Sequence, residues 1–171
     1  IAPVVDHLVL MGYDFYQPGS SRAGPVAPIR SSDGKSIAQA LEGSIQKKIP
    51  SEKIILAMPF YGYEWQTTSS EHKSPTYPES GAMASYKRVN QLIKDKDIEV
   101  QWDTVALSPW FSYQDSGITK QVYFENDTSI GLKLQLVNQV NLGGVAIWAL
   151  GYEGKDASVW KVIEDWRRKE R

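Results

Sequence analysis

The stretch Leu8-Val9-Leu10-Met11-Gly12-Tyr13-Asp14 is an apolar run that ends abruptly in a phenol and a carboxylate. A strand that is buried on both faces of a parallel sheet has this kind of continuous apolar sequence. In open α/β sheets, the residues that follow the C-terminal end of such a strand face the ligand crevice. We therefore predict a buried parallel strand over residues 7–14, with Tyr13 and Asp14 at the edge of a binding site.

Two more stretches of the chain repeat this pattern, at residues 54–62 and 144–151. Tyr61 follows the first of these apolar runs, and Trp148 lies near the end of the second. The carboxyl ends of parallel strands meet at one edge of a sheet. Three strands that each end in an aromatic or acidic side chain therefore predict one shared site at that edge.

Helical patterns connect these three strands. A helix that begins at Ser32 or Asp33 and ends near Lys48 separates the first two strands, and it carries apolar residues four apart. Further helices are expected at residues 127–141 and 156–169. A strand, a helix and a second strand form a βαβ unit with a right-handed crossover, so the fold class is α/β.

A different pattern occupies residues 62–126 and predicts a small α+β lobe inserted into the βα repeat. Residues 67–78 are polar and loop-like, and residues 83–94 have a helical pattern. Three segments alternate like half-buried antiparallel strands, at 99–103, 110–114 and 120–125. Asp115-Ser116-Gly117 is a candidate hairpin turn between the last two.

Composition excludes several classes of protein. The 19 basic and 20 acidic residues balance, so no basic surface for nucleic acid is expected. No apolar run is long enough to span a membrane. The chain contains no cysteine and only His7 and His72 as histidines, which makes a thiolate or histidine-rich metal site improbable. We expect no metal and no cofactor.

Aromatic residues are abundant, with six Trp, nine Tyr and four Phe. Many stand beside glycine, proline or polar residues rather than inside apolar runs: Tyr16, Tyr61, Tyr63, Trp65, Tyr77, Trp102, Trp110 and Tyr113. Flat apolar rings with a polar rim suit the C–H faces and hydroxyl groups of sugars. Any single ring is more readily explained by the core, but the set favours a carbohydrate groove.

The chain opens on Ile1-Ala2-Pro3-Val4-Val5-Asp6, without an initiator methionine. It enters an apolar strand within a few residues, where a native terminus more often carries a polar tail. We interpret the chain as a piece of a longer protein.

Three ordered motifs resemble those of the glycoside hydrolase family 18 chitinases and their spore-cortex-lytic relatives. Residues 11–14 are similar to the Met-x-Tyr-Asp end of the family's sixth barrel strand, and Pro59-Phe60-Tyr61-Gly62 to the segment that closes its seventh. Residues 143–148 resemble the eighth strand with its floor tryptophan. Residues 101–110 and 122–125 resemble the chitinase insertion domain.

The family's general acid is a glutamate that ends an Asp-x-x-Asp-x-Asp-x-Glu motif on barrel strand four, and this sequence contains no such motif. A (β/α)₈ TIM barrel typically needs about 250 residues. The resemblance therefore implies only strands six to eight, with the N-terminal half of the barrel as a missing partner. It divides the chain into barrel residues 1–61, an insertion domain at 62–126, and barrel residues 127–171.

The resemblance also implies roles for particular side chains. Tyr13 and Asp14 would support catalysis, Tyr13 by holding the substrate's acetamide oxygen. The substrate-binding residues would be Met11, Tyr61, Trp65 and Trp148. Alternatives remain for each. Tyr13 and Trp148 can be core residues, and Asp14 can form a salt bridge with Arg22 or Arg30.

The implied activity is hydrolysis of β-1,4-linked N-acetylglucosamine polymers, either chitin or peptidoglycan, while the isolated chain would be inactive. One alternative is a non-catalytic, chitinase-like carbohydrate-binding protein. Another is a dimer of this fragment formed through exposed barrel edges. We expect a bacterial protein that is extracellular or associated with the cell wall.

Overall fold

A computed structural model describes residues 2–169, and the first of its two sheets has three parallel strands. These are β1 (Leu8–Met11), β2 (Ile54–Pro59) and β8 (Gly144–Trp148), with β2 in the centre. Three helices accompany them: α1 (Ile37–Gln46), α3 (Asp127–Val140) and α4 (Ser158–Lys169). The predicted α/β class is confirmed, because β1, α1 and β2 form a parallel βαβ unit.

Strand β1 ends at Met11, three residues earlier than predicted. The backbone of Gly12 closes onto Ala57, whose carbonyl oxygen accepts a hydrogen bond of 2.9 Å from the Gly12 N–H. A Cβ on Gly12 would lie only 2.7 Å from the Leu56 side chain. Asp14 then adopts a left-handed conformation with φ 61°, which turns the chain out of the sheet.

Helix α1 begins at Ile37 rather than at Ser32 or Asp33. Asp33 is engaged locally, because its carboxylate accepts hydrogen bonds from the Ser31 hydroxyl and the Lys35 N–H. Ser36 supplies the N-cap instead, accepting from the Gln39 N–H. The prediction of a helix between β1 and β2 is therefore confirmed, but its N-cap is Ser36 and not Ser32 or Asp33.

One face of the first sheet packs against the helices, with Leu10, Leu56 and Val145 in one row across the strands. On its other face, the open face, the two outer strands are exposed within residues 2–169, while Ala57 and Pro59 of the central strand are buried. Met11 on β1 is 65% exposed and Trp148 on β8 is 56% exposed. The prediction that β1 is buried on both faces is wrong for the described part of the chain.

The second sheet is antiparallel and has five strands. They are β3 (Tyr61–Gln66), β4 (Ala82–Ser85), β5 (Gln101–Asp103), β6 (Ser108–Asp115) and β7 (Ile118–Tyr123). Their spatial order is β4–β3–β7–β6–β5. Helix α2 (Tyr86–Lys96) packs on one face through a small core that includes Val89, Phe111 and Val122.

The hairpin turn predicted at residues 115–117 is confirmed. Ser116 and Gly117 connect β6 to β7, with φ values of 52° and 80°. Positive φ at both central residues is what a tight two-residue hairpin requires, and glycine adopts it without steric cost.

Strands β3 and β4 were not predicted. Residues 61–65 are buried on both faces, so they lack the alternation that marks a half-buried strand. Residues 83–85 of β4 fell inside the predicted helix, which instead begins at Tyr86 with Ser85 as its N-cap. A Cβ on Gly62 would lie 1.9 Å from the carbonyl oxygen of Tyr123, so only glycine allows β3 and β7 to approach this closely.

A buried ion pair joins the end of the second sheet to helix α3. The ammonium of Lys133 lies 2.7 Å from the carboxylate of Glu125, and both side chains are fully buried. The Ser129 hydroxyl also donates to Glu125. Burial raises the pKa of Glu125, while Lys133 opposes that rise.

No helix in the part of the chain described, residues 2–169, is long and apolar enough to cross a membrane.

Candidate functional site

Asp14 lies where the two sheets meet and is held by two phenols of β3. Its Oδ1 accepts a hydrogen bond of 2.5 Å from the Tyr61 hydroxyl and one of 2.8 Å from the Tyr63 hydroxyl. Tyr61 and Tyr63 are two residues apart on a strand and therefore project from the same face. Within residues 2–169, the second oxygen of Asp14, Oδ2, has no hydrogen-bond partner and stays available to a ligand.

The two phenols stay protonated donors at ordinary pH. Burial, reinforced by the hydrogen bond to Asp14, raises the pKa of Tyr61 well above its usual value of 10.0. The same causes raise the pKa of Tyr63 to about 12. Both side chains therefore donate to Asp14, and the two hydrogen bonds fix the orientation of its carboxylate.

Other aromatic rings surround this hydrogen-bonded group. The ring of Tyr13 meets Tyr61 edge to face, with centroids 6.1 Å apart, and Tyr152 meets Tyr61 at 6.2 Å. Burial and the neighbouring charge of Asp14 raise the pKa of Tyr13. Its hydroxyl has no partner among the described residues, so it remains a free donor close to the Asp14 carboxylate.

Met11 and Trp148 stand at the C-terminal ends of β1 and β8, at the same edge of the first sheet. Met11 pairs with Ala57 and Trp148 with Pro59 on the central strand. Both side chains are on the open face, and the Trp148–Ala149 peptide is cis. A flat ring with this exposure can carry the apolar face of a ligand.

Trp65 does not belong to this exposed group. Its side chain is fully buried, and its Nε1–H donates to the carbonyl oxygens of Gln17 and Pro18, at 3.2 and 3.1 Å. The ring therefore anchors the loop after β1 and offers no surface to a ligand. We do not include Trp65 in the proposed site.

Two residues of the arrangement were not selected from the sequence. Tyr63 was expected to belong to the insertion, yet its hydroxyl bonds Asp14. Tyr152, whose ring packs against Tyr61, was given no role from the sequence. The period-two spacing of Tyr61 and Tyr63 was a usable signal for Tyr63. No sequence signal indicated Tyr152.

Asp14 forms no ion pair with Arg22 or Arg30 within the described chain. The guanidinium of Arg22 donates to the carbonyl oxygen of Lys73 instead. Glu153, the acid that follows β8, accepts from the Gly151 N–H at 2.8 Å. Residues 2–169 hold no group of three or more metal-ligating side chains. The site thus offers one oriented carboxylate, one free phenol and one open ring, a set suited to holding a polyhydroxylated ligand.

The sequence and the fold have known relatives. Cortical fragment-lytic enzyme of Bacillus subtilis (strain 168) is 30% identical over 151 residues, which cover 86% of this chain and 32% of that protein. Class V chitinase of Arabidopsis thaliana is 30% identical over 160 residues, covering 88% of this chain and 41% of that protein.

A solved structure shares the fold. GH18 chitinase from Cycas revoluta in complex with (GlcNAc)3 superposes with a TM-score of 0.85 at 24% identity, over 97% of this chain and 48% of that one. The chain therefore spans about half of the solved relative and at most about two fifths of the two curated ones. Its three parallel strands agree with part of a TIM barrel. Residues 1–153 match Glycosyl hydrolases family 18, and the chain belongs to that family.

Proposed function

We propose that the chain is the C-terminal portion of a family 18 glycosidase that cleaves β-1,4-linked N-acetylglucosamine polymers by substrate-assisted, retaining hydrolysis. The observation that carries this proposal is the oriented carboxylate of Asp14 beside the unpartnered hydroxyl of Tyr13. The relatives named above, a cortical fragment-lytic enzyme and chitinases, support the substrate class.

In this mechanism the carbonyl oxygen of the substrate's own N-acetyl group attacks the anomeric carbon. Tyr13 would donate its hydroxyl proton in a hydrogen bond to that oxygen and hold it in line. The free Oδ2 of Asp14 would accept from the acetamide N–H, and the two phenols on Oδ1 keep it in place. Trp148 would stack beneath the sugar and Met11 would line the wall, while Tyr61, expected from the sequence to touch the substrate, is buried and would act by holding Asp14.

The leaving oxygen must be protonated by an acid outside this sequence, since the family's Asp-x-x-Asp-x-Asp-x-Glu motif is absent from it. We infer that an N-terminal barrel half covers the open face of the first sheet and brings that acid. The division into barrel residues 1–61, insertion 62–126 and barrel residues 127–171 is part of this proposal. The isolated chain is expected to be inactive.

The same absence favours a second candidate, a non-catalytic carbohydrate-binding protein. An N-terminal barrel half whose fourth strand ends in glutamate tests the two candidates. Hydrolysis in its presence supports the glycosidase, and binding without hydrolysis supports the carbohydrate-binding protein. Dimerisation through the edges of the first sheet is a further alternative, which the mass measured by light scattering tests. In either function the polymeric substrate implies an extracellular or cell-wall location.

The decisive experiment is a titration of the chain with N-acetylglucosamine oligomers, followed by tryptophan fluorescence and calorimetry. We expect binding that Trp148→Ala abolishes and that Trp166→Ala, on α4, leaves unchanged. If no oligomer binds, the titration is repeated with the N-terminal half of a family 18 barrel supplied as a second chain. Absence of binding in that complex would overturn the proposal.

A further inference from the structure

Phe60 is the single residue between the two sheets, because β2 ends at Pro59 and β3 begins at Tyr61. The chain therefore passes from the parallel sheet to the antiparallel one without a loop. The candidate site draws on both sheets, since Trp148 lies on the first, and Tyr61 and Tyr63 lie on the second. The conformation at Phe60 therefore determines how the two parts of the site face each other.

The backbone of Phe60 is hydrogen-bonded on both sides of this junction. Its N–H donates to the carbonyl oxygen of Trp148 at 2.7 Å, and its carbonyl oxygen accepts from the Tyr86 N–H at 2.9 Å. The first bond lies at the end of the β2–β8 pairing, where Pro59 is opposite Trp148. The second joins the junction to the first residue of α2. A displacement of Phe60 would therefore be transmitted to Trp148.

The next residue connects the junction to the carboxylate. Tyr61 donates its hydroxyl to Oδ1 of Asp14 at 2.5 Å. Phe60 is thus one peptide bond from a residue that orients Asp14, and one hydrogen bond from Trp148, which carries the open ring. The relative position of the carboxylate and the ring depends on this one residue.

The ring of Phe60 is fully buried and is held in place by other rings on the helix side of the first sheet. It meets Trp160 of α4 edge to face, with centroids 5.0 Å apart and the planes at 72°. It also meets the ring of Tyr86 at 6.2 Å. Edge-to-face aromatic pairs have a preferred geometry in addition to their buried area. Trp160 therefore restricts where the Phe60 ring can lie.

Tyr86 is itself fixed at a point where three helices begin. Its hydroxyl donates to Oδ1 of Asp127 at 2.8 Å, and the Ser158 hydroxyl donates to the same oxygen at 3.1 Å. Tyr86, Asp127 and Ser158 are the first residues of α2, α3 and α4. Burial raises the pKa of Tyr86 to about 12, so its hydroxyl remains a donor at ordinary pH. The rings that hold Phe60 thus belong to the helix layer and not to the candidate site.

We propose that Phe60 is a positioning residue of the sugar site, whose ring, held by Trp160 and Tyr86, sets the distance between the Trp148 ring and the Asp14 carboxylate. The inference rests on the proposed function and goes beyond it, because Phe60 is fully buried and touches no ligand. The affinity for sugar is then controlled in part from the helix side of the first sheet, opposite to the face that exposes Trp148.

The test removes the supporting ring and leaves every residue of the site in place. Trp160→Leu removes the edge-to-face partner of Phe60, whereas Trp160→Phe keeps an aromatic ring there. We expect Trp160→Leu to bind N-acetylglucosamine oligomers about 10-fold more weakly than the wild type, since a small misplacement far from a site can cost up to about 100-fold. Trp160→Phe should recover most of the affinity, as measured by calorimetry.

Val137→Ala is the control for a general loss of stability. Val137 lies in the same core, on α3, and its variant should bind as tightly as the wild type under conditions where urea denaturation shows every variant to be folded. Equal affinities of Trp160→Leu and Val137→Ala would overturn the proposal.

A double-variant cycle tests whether the effect passes through Phe60. Phe60→Leu should weaken binding to a similar degree, and adding Trp160→Leu to it should have little further effect, because the two rings act as one unit. Losses of affinity that add in the double variant would contradict the role given to Phe60.

NMR spectra of the chain without ligand separate this inference from the proposed function. The indole N–H resonance of Trp148 should move in Trp160→Leu but not in Val137→Ala, although the first sheet lies between the two tryptophans. If the wild type binds no oligomer even with the N-terminal half of a family 18 barrel supplied, the proposed function fails, while this shift still supports the positioning of Trp148. A Trp148 resonance that stays in place overturns the positioning role, whatever the chain binds.

Discussion

Strand β3 of the second sheet is buried on both faces, whereas β1 of the first sheet alternates between a covered and an exposed face. The buried strand holds the preorganised part of the candidate site, where Tyr61 and Tyr63 fix Asp14. The half-covered sheet carries Met11 and Trp148, whose side chains have no cover in residues 2–169. Residues 2–169 thus contain the groups that orient the Asp14 carboxylate, but the surface around Met11 and Trp148 does not enclose a ligand.

This comparison predicts that substitutions in the covered region change folding strongly, while substitutions on the open face change binding alone. The largest effect is expected at the buried ion pair. Lys133→Met leaves the Glu125 carboxylate buried without its partner and should lower the free energy of unfolding by about 3–5 kcal/mol. Urea denaturation measures it, with Lys161→Met as the exposed control. A loss no larger than that of the control would contradict the role given to this pair.

The next effect is expected at Gly62, where β3 and β7 approach most closely. Gly62→Ala would force the two strands apart and should cost about 1–3 kcal/mol, as overpacking does. It should also weaken sugar binding, since both neighbouring tyrosines would move. Gly43→Ala is the control, because a Cβ there meets nothing within 4 Å and alanine favours a helix. Equal stability of the two variants would argue against the close approach.

Alkaline pH should lower the free energy of unfolding through the buried Tyr63 hydroxyl on β3. The pKa of Tyr63 is raised to about 12 in the folded chain, against 10.0 for an ordinary tyrosine. Its stabilising contribution is therefore fully present below pH 10 and is lost as the pH rises toward 12. Unfolding free energies measured from pH 9 to 12 should fall more steeply for the wild type than for Tyr63→Phe. Parallel curves would contradict the prediction.

The smallest effect is expected on the open face. Val9→Ser replaces a side chain that is 61% exposed, so stability should change by no more than about 0.5 kcal/mol. Leu10→Ser, one residue along and packed against the core, should cost several times more. Denaturation midpoints of the two variants provide the measurement. Similar losses would indicate that the open face is covered in solution, for example by a second copy.

The parts of this molecule that the sequence predicted are those set by local pattern. The three apolar runs, the hairpin at Ser116-Gly117 and the placement of Tyr13 and Asp14 at a strand end each depend on short-range chemistry. The full barrel around these strands remains an inference from the family.

The parts that were missed depend on contacts distant in the chain. Glu64 is buried inside β3 because Arg88 and Tyr113 bond its carboxylate, and no pattern within residues 61–66 reveals those partners. The assignment of Trp65 to a ligand surface was wrong, because hydrogen bonds to the carbonyl oxygens of residues 17 and 18 set the orientation of its ring. Sequence periodicity reports which residues share a face, but not what covers that face.

The left-handed backbone at Asp14 restricts which residue types fit at this position without strain. Glycine, asparagine and aspartate adopt a positive φ at the least steric cost. Of these, glycine has no side chain to bond, and asparagine would place a neutral amide against the phenols of Tyr61 and Tyr63. The turn and the two phenol donors therefore favour aspartate at position 14 independently of any contact with a substrate.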